Sequence, residues 1–205
     1  MISEGNKEKT MMKILNVKKA PLLLLLILLV GCETLNTEAL KPYQTFMEQQ
    51  KAHQAITSFQ AKALFLLDQF YNREEGRLSP AEITSTLYTQ EGELVVYRNG
   101  KEIAFRGQQA LLDMFEDGER QTIHNANKFS KHFSTNTRIE LDGKTASSQS
   151  QFFVLSTDRD TNKSTWVIGR YIDTLEKNAN GEWRFKSKVA YIDDIANLVS
   201  EWESK

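Results

Sequence analysis

Three observations predict an α+β domain with helices first and a strongly curved, mostly antiparallel sheet after them. Phe59, Ala63, Leu66, Leu67 and Phe70 recur at helical spacing. From Phe129 to Ile192 the chain alternates between polar and apolar residues in long runs. Between these regions, Asn99-Gly100 separates the strand-like runs Glu93 to Arg98 and Lys101 to Phe105. That dipeptide suits a two-residue hairpin turn, because both of its residues accept positive φ.

Taken in order, the first helix is expected from about Pro42 to Asn72, with one apolar face. Asn72 to Ser79 breaks it with Gly76 and a charge cluster. Ser79-Pro80-Ala81-Glu82 reads as the next helix start: serine caps, proline fits the first turn, and the acid meets the positive helix end. That helix is short and is expected to end by about Gln90. Gly107 to Phe115 reads as a third helix with Ala110, Leu111, Met114 and Phe115 on its apolar side, and Asp117 to Asn127 reads as loop. The long strands follow at Phe129 to Leu141, Lys144 to Ser156, Thr165 to Glu176 and Glu182 to Ile192. Strands of that length must twist or curve. Ile195, Leu198, Val199 and Trp202 suggest a final short amphipathic helix.

Near the start of the chain, an apolar run from Ala20 to Leu29 follows Lys13, Lys18 and Lys19 and leads into Leu29-Val30-Gly31-Cys32. Basic flank, short apolar core and small residues are the parts of a secretion signal. The cysteine that follows resembles the lipobox of bacterial lipoproteins, Leu-(Ala/Ser/Thr/Val)-(Gly/Ala)-Cys. That resemblance implies cleavage before Cys32, acylation of Cys32 and a domain tethered to a membrane. The run is about half of the roughly 20 residues a spanning helix needs, and it lacks the polar face of a core helix. Residues 1–31 are therefore expected to be a lipoprotein signal peptide, with residues 1–10 upstream of an alternative start at Met11 or Met12. Residues 32–41 are expected to be the lipidated cysteine and a polar tether, and residues 42–205 the domain. Glu33 stands where an aspartate would favour the inner membrane, which implies the outer membrane, facing the periplasm, in a host with two membranes.

With 205 residues the chain holds one ordinary domain after the signal. The net charge of -1 argues against nucleic acid as a partner, which needs clustered positive charge. Cys32 is the single cysteine, so no intrachain disulfide and no cysteine metal cluster are expected. Three scattered histidines make no zinc site. Gly100 and Gly107 belong to turns rather than a phosphate loop, and no G-x-S-x-G elbow occurs. No metal or cofactor is expected.

Three segments carry a further resemblance. Gly107-Gln-Gln-Ala-Leu-Leu follows the hairpin. His132-Phe133-Ser134-Thr135-Asn136 precedes Ile139-Glu140-Leu141-Asp142-Gly143-Lys144-Thr145-Ala146. Gly169-Arg170-Tyr171-Ile172-Asp173 precedes Gly181-Glu182-Trp183-Arg184-Phe185. In this order, between about Ile56 and Ala190, they resemble the SnoaL-like branch of the NTF2-like fold. The resemblance implies a conical sheet around helices with a pocket at its open end. Family members include dehydratases, isomerases, polyketide cyclases and domains without known chemistry. Family enzymes often pair a histidine with an aspartate and add tyrosines.

Strand parity places His132, Ser134, Asn136 and Arg138 on one face, Ser148, Ser150 and Phe152 on another strand's face, and Tyr171 and Asp173 with Val167 and Gly169. A polar pocket with an aromatic wall suits a small, partly apolar or aromatic ligand. His132 is the acid/base candidate, because imidazole titrates near neutral pH. By family analogy Asp68 on the first helix is its carboxylate, with Asp173 the alternative. His132 reads more simply as a polar residue at a strand start and Tyr171 as wall, and Asp173 reads at least as well as a cross-strand partner of Arg184 or Lys186. A second pocket histidine, frequent in enzymes of this fold, is missing from the strand with Ser148 and Ser150. Three functions remain open: a lipid-anchored binding domain, a cofactor-independent lyase or isomerase, and a docking module. A second copy would pair through the outer sheet face, where Ile168, Ile172 and Trp166 stand. The enzyme needs a carboxylate within about 3 Å of a His132 nitrogen, and a cone filled by Phe152 argues against it. Ligand binding needs a cavity of about 300 Å³ or more.

Overall fold

The structure, a computed structural model, describes residues 37–124 and 127–193. The signal, Cys32 and the helix expected at Ile195 to Trp202 lie outside the described residues. The chain divides into two compact units, residues 1–47 and 48–205. Within the first, residues 37–47 are helical, and Leu40, Tyr43, Phe46 and Met47 are exposed. Residues 37–41, within the expected tether, are helical. The rest of this description concerns the second unit.

The α+β class is the one observed. Helix α1 (Thr37–Tyr71) is followed by α2 (Pro80–Leu87), strands β1 (Tyr88–Arg98) and β2 (Lys101–Arg106), and α3 (Gly107–His124). Four long strands close the chain: β3 (Lys128–Asp142), β4 (Thr145–Asp158), β5 (Ser164–Lys177) and β6 (Trp183–Ile192). They form one six-stranded sheet in the order β2-β1-β6-β5-β4-β3. All neighbours are antiparallel except β1 and β6, which run parallel.

Local signals explain the boundaries. Ser79 accepts a hydrogen bond from the Glu82 N–H, and the Glu82 carboxylate accepts from the Ser79 N–H at 2.9 Å, a full capping box. These bonds to Ser79 hold the Glu82 carboxyl below its ordinary range. Asn99 and Gly100 both take positive φ, 53° and 69°, as the hairpin requires. Helix α3 does not stop at Phe115. It runs on to His124 through residues expected as loop, because its polar face is laced with helix-spaced pairs. Gln109 bonds Asp113 at 2.8 Å, and Arg120 pairs with Asp117 and Glu116.

The core lies between the inner sheet face and the helices. Ile56, Ala63 and Phe70 of α1 share it with Ile83, Leu87, Leu111, Phe115, Leu175 and Phe185. Phe70, Phe115 and Phe185 are essentially fully buried, worth about 1.5–3 kcal/mol each over exposure. Phe70 meets Phe115 edge-on at 5.5 Å, which fixes α1 against α3.

Two irregularities redirect side chains. In β3 the register shifts between Thr135 and Arg138, and Asn136 has a φ of 53°. In β6 Thr174 faces Ser187 but Leu175 faces Phe185, so one extra residue, Lys186, is accommodated. Each extra residue exchanges the two faces for the remainder of its strand.

Candidate functional site

Asn72, just past the end of α1, anchors the first part of the site. Its side-chain amide donates to the Ser130 carbonyl and its oxygen accepts from the Ser130 N–H, both at 2.8 Å. This clamp sets β3 beside the last turn of α1. Asp68, one turn earlier, then faces His132, two residues further along β3. The His132 backbone N–H donates to Asp68 Oδ1 at 2.9 Å, and His132 Nδ1 lies 2.8 Å from the same oxygen. With the carboxylate accepting, Nδ1 carries the proton and Nε2 is left as the basic nitrogen. Asp68 is buried, the His132 side chain is 15% exposed, and Lys131 Nζ stands 3.7 Å from Asp68 Oδ2. Tyr71 packs its ring 6.1 Å from the imidazole, and burial raises its phenol pKa.

Asp173 has a different partner. It does not meet His132, Arg184 or Lys186. It lies opposite Lys188 across β5 and β6, with Nζ 3.3 and 3.4 Å from its two oxygens. Arg184 pairs with Glu182 instead, and Lys186 with Glu176. Gln60, on α1, donates to Ser148 Oγ at 2.7 Å and to Asp173 Oδ2 at 3.1 Å. The Lys188 ammonium also lies 3.5 Å from the Tyr171 ring centre and 4.6 Å from that of Phe185. Burial raises the Asp173 pKa, against the lowering effect of Lys188, and lowers that of Lys188 itself. Burial also raises the Tyr171 phenol.

The other expected residues divide. Ser148, Ser150, Phe152 and Tyr171 are buried on the inner face as parity requires. Phe152 stacks on Tyr171 at 4.2 Å, over Gly169, where any Cβ would collide with the ring. Asn136 does not join them. It falls in the β3 irregularity, is exposed, and bonds the outward Gln151 at 2.8 Å. Cys32 lies outside the described residues. Lys188 is a site residue that the sequence reading did not single out; the extra residue in β6 turns it inward, out of step with Trp183 and Phe185. Gln60 was legible in principle: with Leu64 and Asp68 it forms a stripe at four-residue spacing.

Gln60, Leu64, Ser134, Ser150, Tyr171 and Lys188, with Asp173, line a cavity of about 10 Å³. That is room for about one water and far below what a whole ligand needs. His132 stands two residues before Ser134, on the same face of β3. Beyond the Phe152–Tyr171 stack, Val96, Val154, Val167 and Ile192 form a half-buried apolar rim. A larger open hollow of about 420 Å³ lies elsewhere, between the start of α2 and α3, lined by Pro80, Leu112 and Arg120 among others. It contains neither His132–Asp68 nor Lys188–Asp173. Among the described residues no group of three His, Cys, Asp or Glu could hold a metal, and no helix is long and apolar enough to cross a membrane.

A family model described as a SnoaL-like domain matches residues 49–189. No curated protein matches the sequence. Solved structures do. ActVI-ORFA from Streptomyces coelicolor is 17% identical, with a TM-score of 0.56, and the match covers 72% of this chain and 99% of that one. A candidate scytalone dehydratase from Novosphingobium aromaticivorans is 18% identical over 71% of this chain and 86% of its own, with a TM-score of 0.56. LinA is 19% identical over 72% of this chain and 89% of its own, with a TM-score of 0.53. At these identities the likeness is one of fold.

Proposed function

The chain belongs to the SnoaL-like family, and on that premise we propose that it is a lipid-anchored envelope protein whose domain binds a small apolar or aromatic molecule. The observation that carries the binding reading is that two ionisable pairs converge on the inner sheet face, Lys188–Asp173 buried and His132–Asp68 with its imidazole partly exposed. Well-packed apolar residues often stabilise a fold as well as a buried pair does. Two such pairs beside an apolar rim therefore support a role in recognition. Ligand enters from the rim, over Val154 and Val167, by moving the Phe152–Tyr171 stack. A thermal-shift screen of the full chain against aromatic and alicyclic metabolites tests this: a hit should raise the melting temperature saturably. If no compound shifts melting, the binding reading fails.

The anchor rests on Leu29-Val30-Gly31-Cys32 and on the basic and apolar segments before it. Acylation of Cys32 holds the protein in the outer membrane, facing the periplasm. Cys32→Ala should abolish acyl labelling and release the protein; labelling that survives the substitution sinks the proposal.

The 2.8 Å contact between His132 and Asp68 favours a second reading, a cofactor-independent lyase or isomerase. His132 Nε2 takes a proton from carbon or oxygen, and Asp68 holds the ring and stabilises its cation. A third reading rests on the outer face, where Phe133 stacks on Phe153 at 4.4 Å and Trp166, 50% exposed, adjoins them. That apolar row suits a second copy of this chain docking sheet to sheet.

A further inference from the structure

Residues 37–47, the helical part of the first unit, carry an exposed apolar side. At about 100° per residue, Leu40, Pro42, Tyr43, Phe46 and Met47 fall within an arc of about 160°, and Glu38, Lys41, Gln44 and Thr45 fall in the opposite arc. Tyr43 is 64% exposed and Phe46 53%, with Leu40 and Met47 each at 38%. An apolar face of this kind left in water marks a contact surface. The polar side is close to neutral, since Lys41 pairs with Glu38 at 2.9 Å. The SnoaL-like match begins at residue 49, so the stripe lies outside it. What does lie near the stripe along the chain is Cys32. Thr37 follows it by five residues, a reach of at most about 18 Å when fully extended.

We infer that this face is the second half of the membrane anchor: Leu40, Tyr43, Phe46 and Met47 lie in the interface of the bilayer that holds the Cys32 acyl chains. The inference rests on the lipoprotein reading above and says what the residues after Cys32 do. A helix lying in the interface buries its apolar face about 5–10 Å deep and leaves its polar face to the headgroups. Leu40 to Met47 extend about 12 Å, too short to span a bilayer. Tyr43 has an amphipathic ring that suits headgroup depth. With no excess of cations on its polar side, the helix is held by apolar burial rather than by attraction to anionic lipid. The acyl chains supply most of the affinity, and the stripe lies flat on the surface they bring it to.

The test uses the full acylated chain in phosphatidylcholine vesicles. An acylated Cys32 has no free thiol, so Phe46→Cys, Met47→Cys, Gln44→Cys and Thr45→Cys each offer one site for an environment-sensitive maleimide dye. All four positions are exposed, so the fold should tolerate the changes. The expected result is blue-shifted emission and quenching by spin-labelled lipid at positions 46 and 47, with water-like, unquenched emission at 44 and 45. Raised salt should leave this pattern unchanged. Water-like emission at all four positions on vesicle-bound chain overturns the interfacial face and leaves the anchor standing. A blue shift at 46 and 47 without lipid quenching also overturns it, because a second copy then covers the stripe. A shift that disappears in salt overturns apolar burial as the holding force. Maleimide labelling of the parent chain at Cys32 overturns the lipoprotein reading itself, and the inference falls with it.

Discussion

Asp68 and Asp173 are both less than 10% exposed, yet the fold holds them in different ways. Asp68 sits on a helix near the rim, bonded to a backbone N–H and a ring nitrogen, with Lys131 within reach of its second oxygen. Asp173 sits mid-strand and is held by the Gln60 amide and by the buried Lys188 ammonium, which itself lies over the Tyr171 and Phe185 rings. One carboxylate meets a backbone N–H, a ring nitrogen and a more distant ammonium; the other meets one buried ammonium and one side-chain amide. The first arrangement fixes the His132 ring through Nδ1 and leaves Nε2 without a bond to Asp68. The second fixes a cation deep in the sheet.

The largest expected effect is therefore at Lys188. Lys188→Met leaves Asp173 buried without its counter-charge and should cost about 3–5 kcal/mol in urea unfolding. The loss should depend on pH. Burial already places the Asp173 pKa above its usual value, and removing Lys188 removes an opposing influence. A carboxyl with a raised folded pKa adds stability that is present below the unfolded pKa of about 3.9 and lost as pH rises through the folded value. The variant should thus fall further behind the parent protein from pH 4 to pH 7; a constant gap would mean Asp173 finds another partner. Replacing Asp173 with leucine in the same chain should recover at least half of the loss.

Asp68→Ala comes next, at about 1–3 kcal/mol, because the His132 N–H is left buried without its acceptor. His132→Gln is expected to be smallest, about 1 kcal/mol, since Asp68 still accepts from the backbone and Lys131 stays near. Equal losses at Asp68 and Lys188 would erase the distinction between the two pairs.

The sequence was most legible where chemistry is local. Ser79 with Glu82 and Asn99 with Gly100 each declare a boundary within four residues, and the structure places both as expected. Parity found Ser148, Ser150, Tyr171 and Asp173, because β4 and the middle of β5 pair without interruption. It misplaced Asn136 and overlooked Lys188 for one shared reason. Each lies at or just past an extra residue, and a single unpaired residue inverts every later inside-outside assignment. Asp117 to Asn127 reads as loop, yet the part up to His124 is helix, because its polar residues pair with each other, a signal that apolar periodicity does not contain. The His132–Asp68 contact came from family likeness; nothing in the spacing of two residues so far apart implies it.

The strand order has a consequence in time. Strand β6 lies between β1 and β5, so the last strand among the described residues joins the first hairpin to the β3–β5 meander. Until the chain near Ile192 is made, the sheet is two separate pieces, each with a bare edge. Contacts so distant in sequence form late and slowly. During most of its synthesis this domain has no finished sheet to fold into.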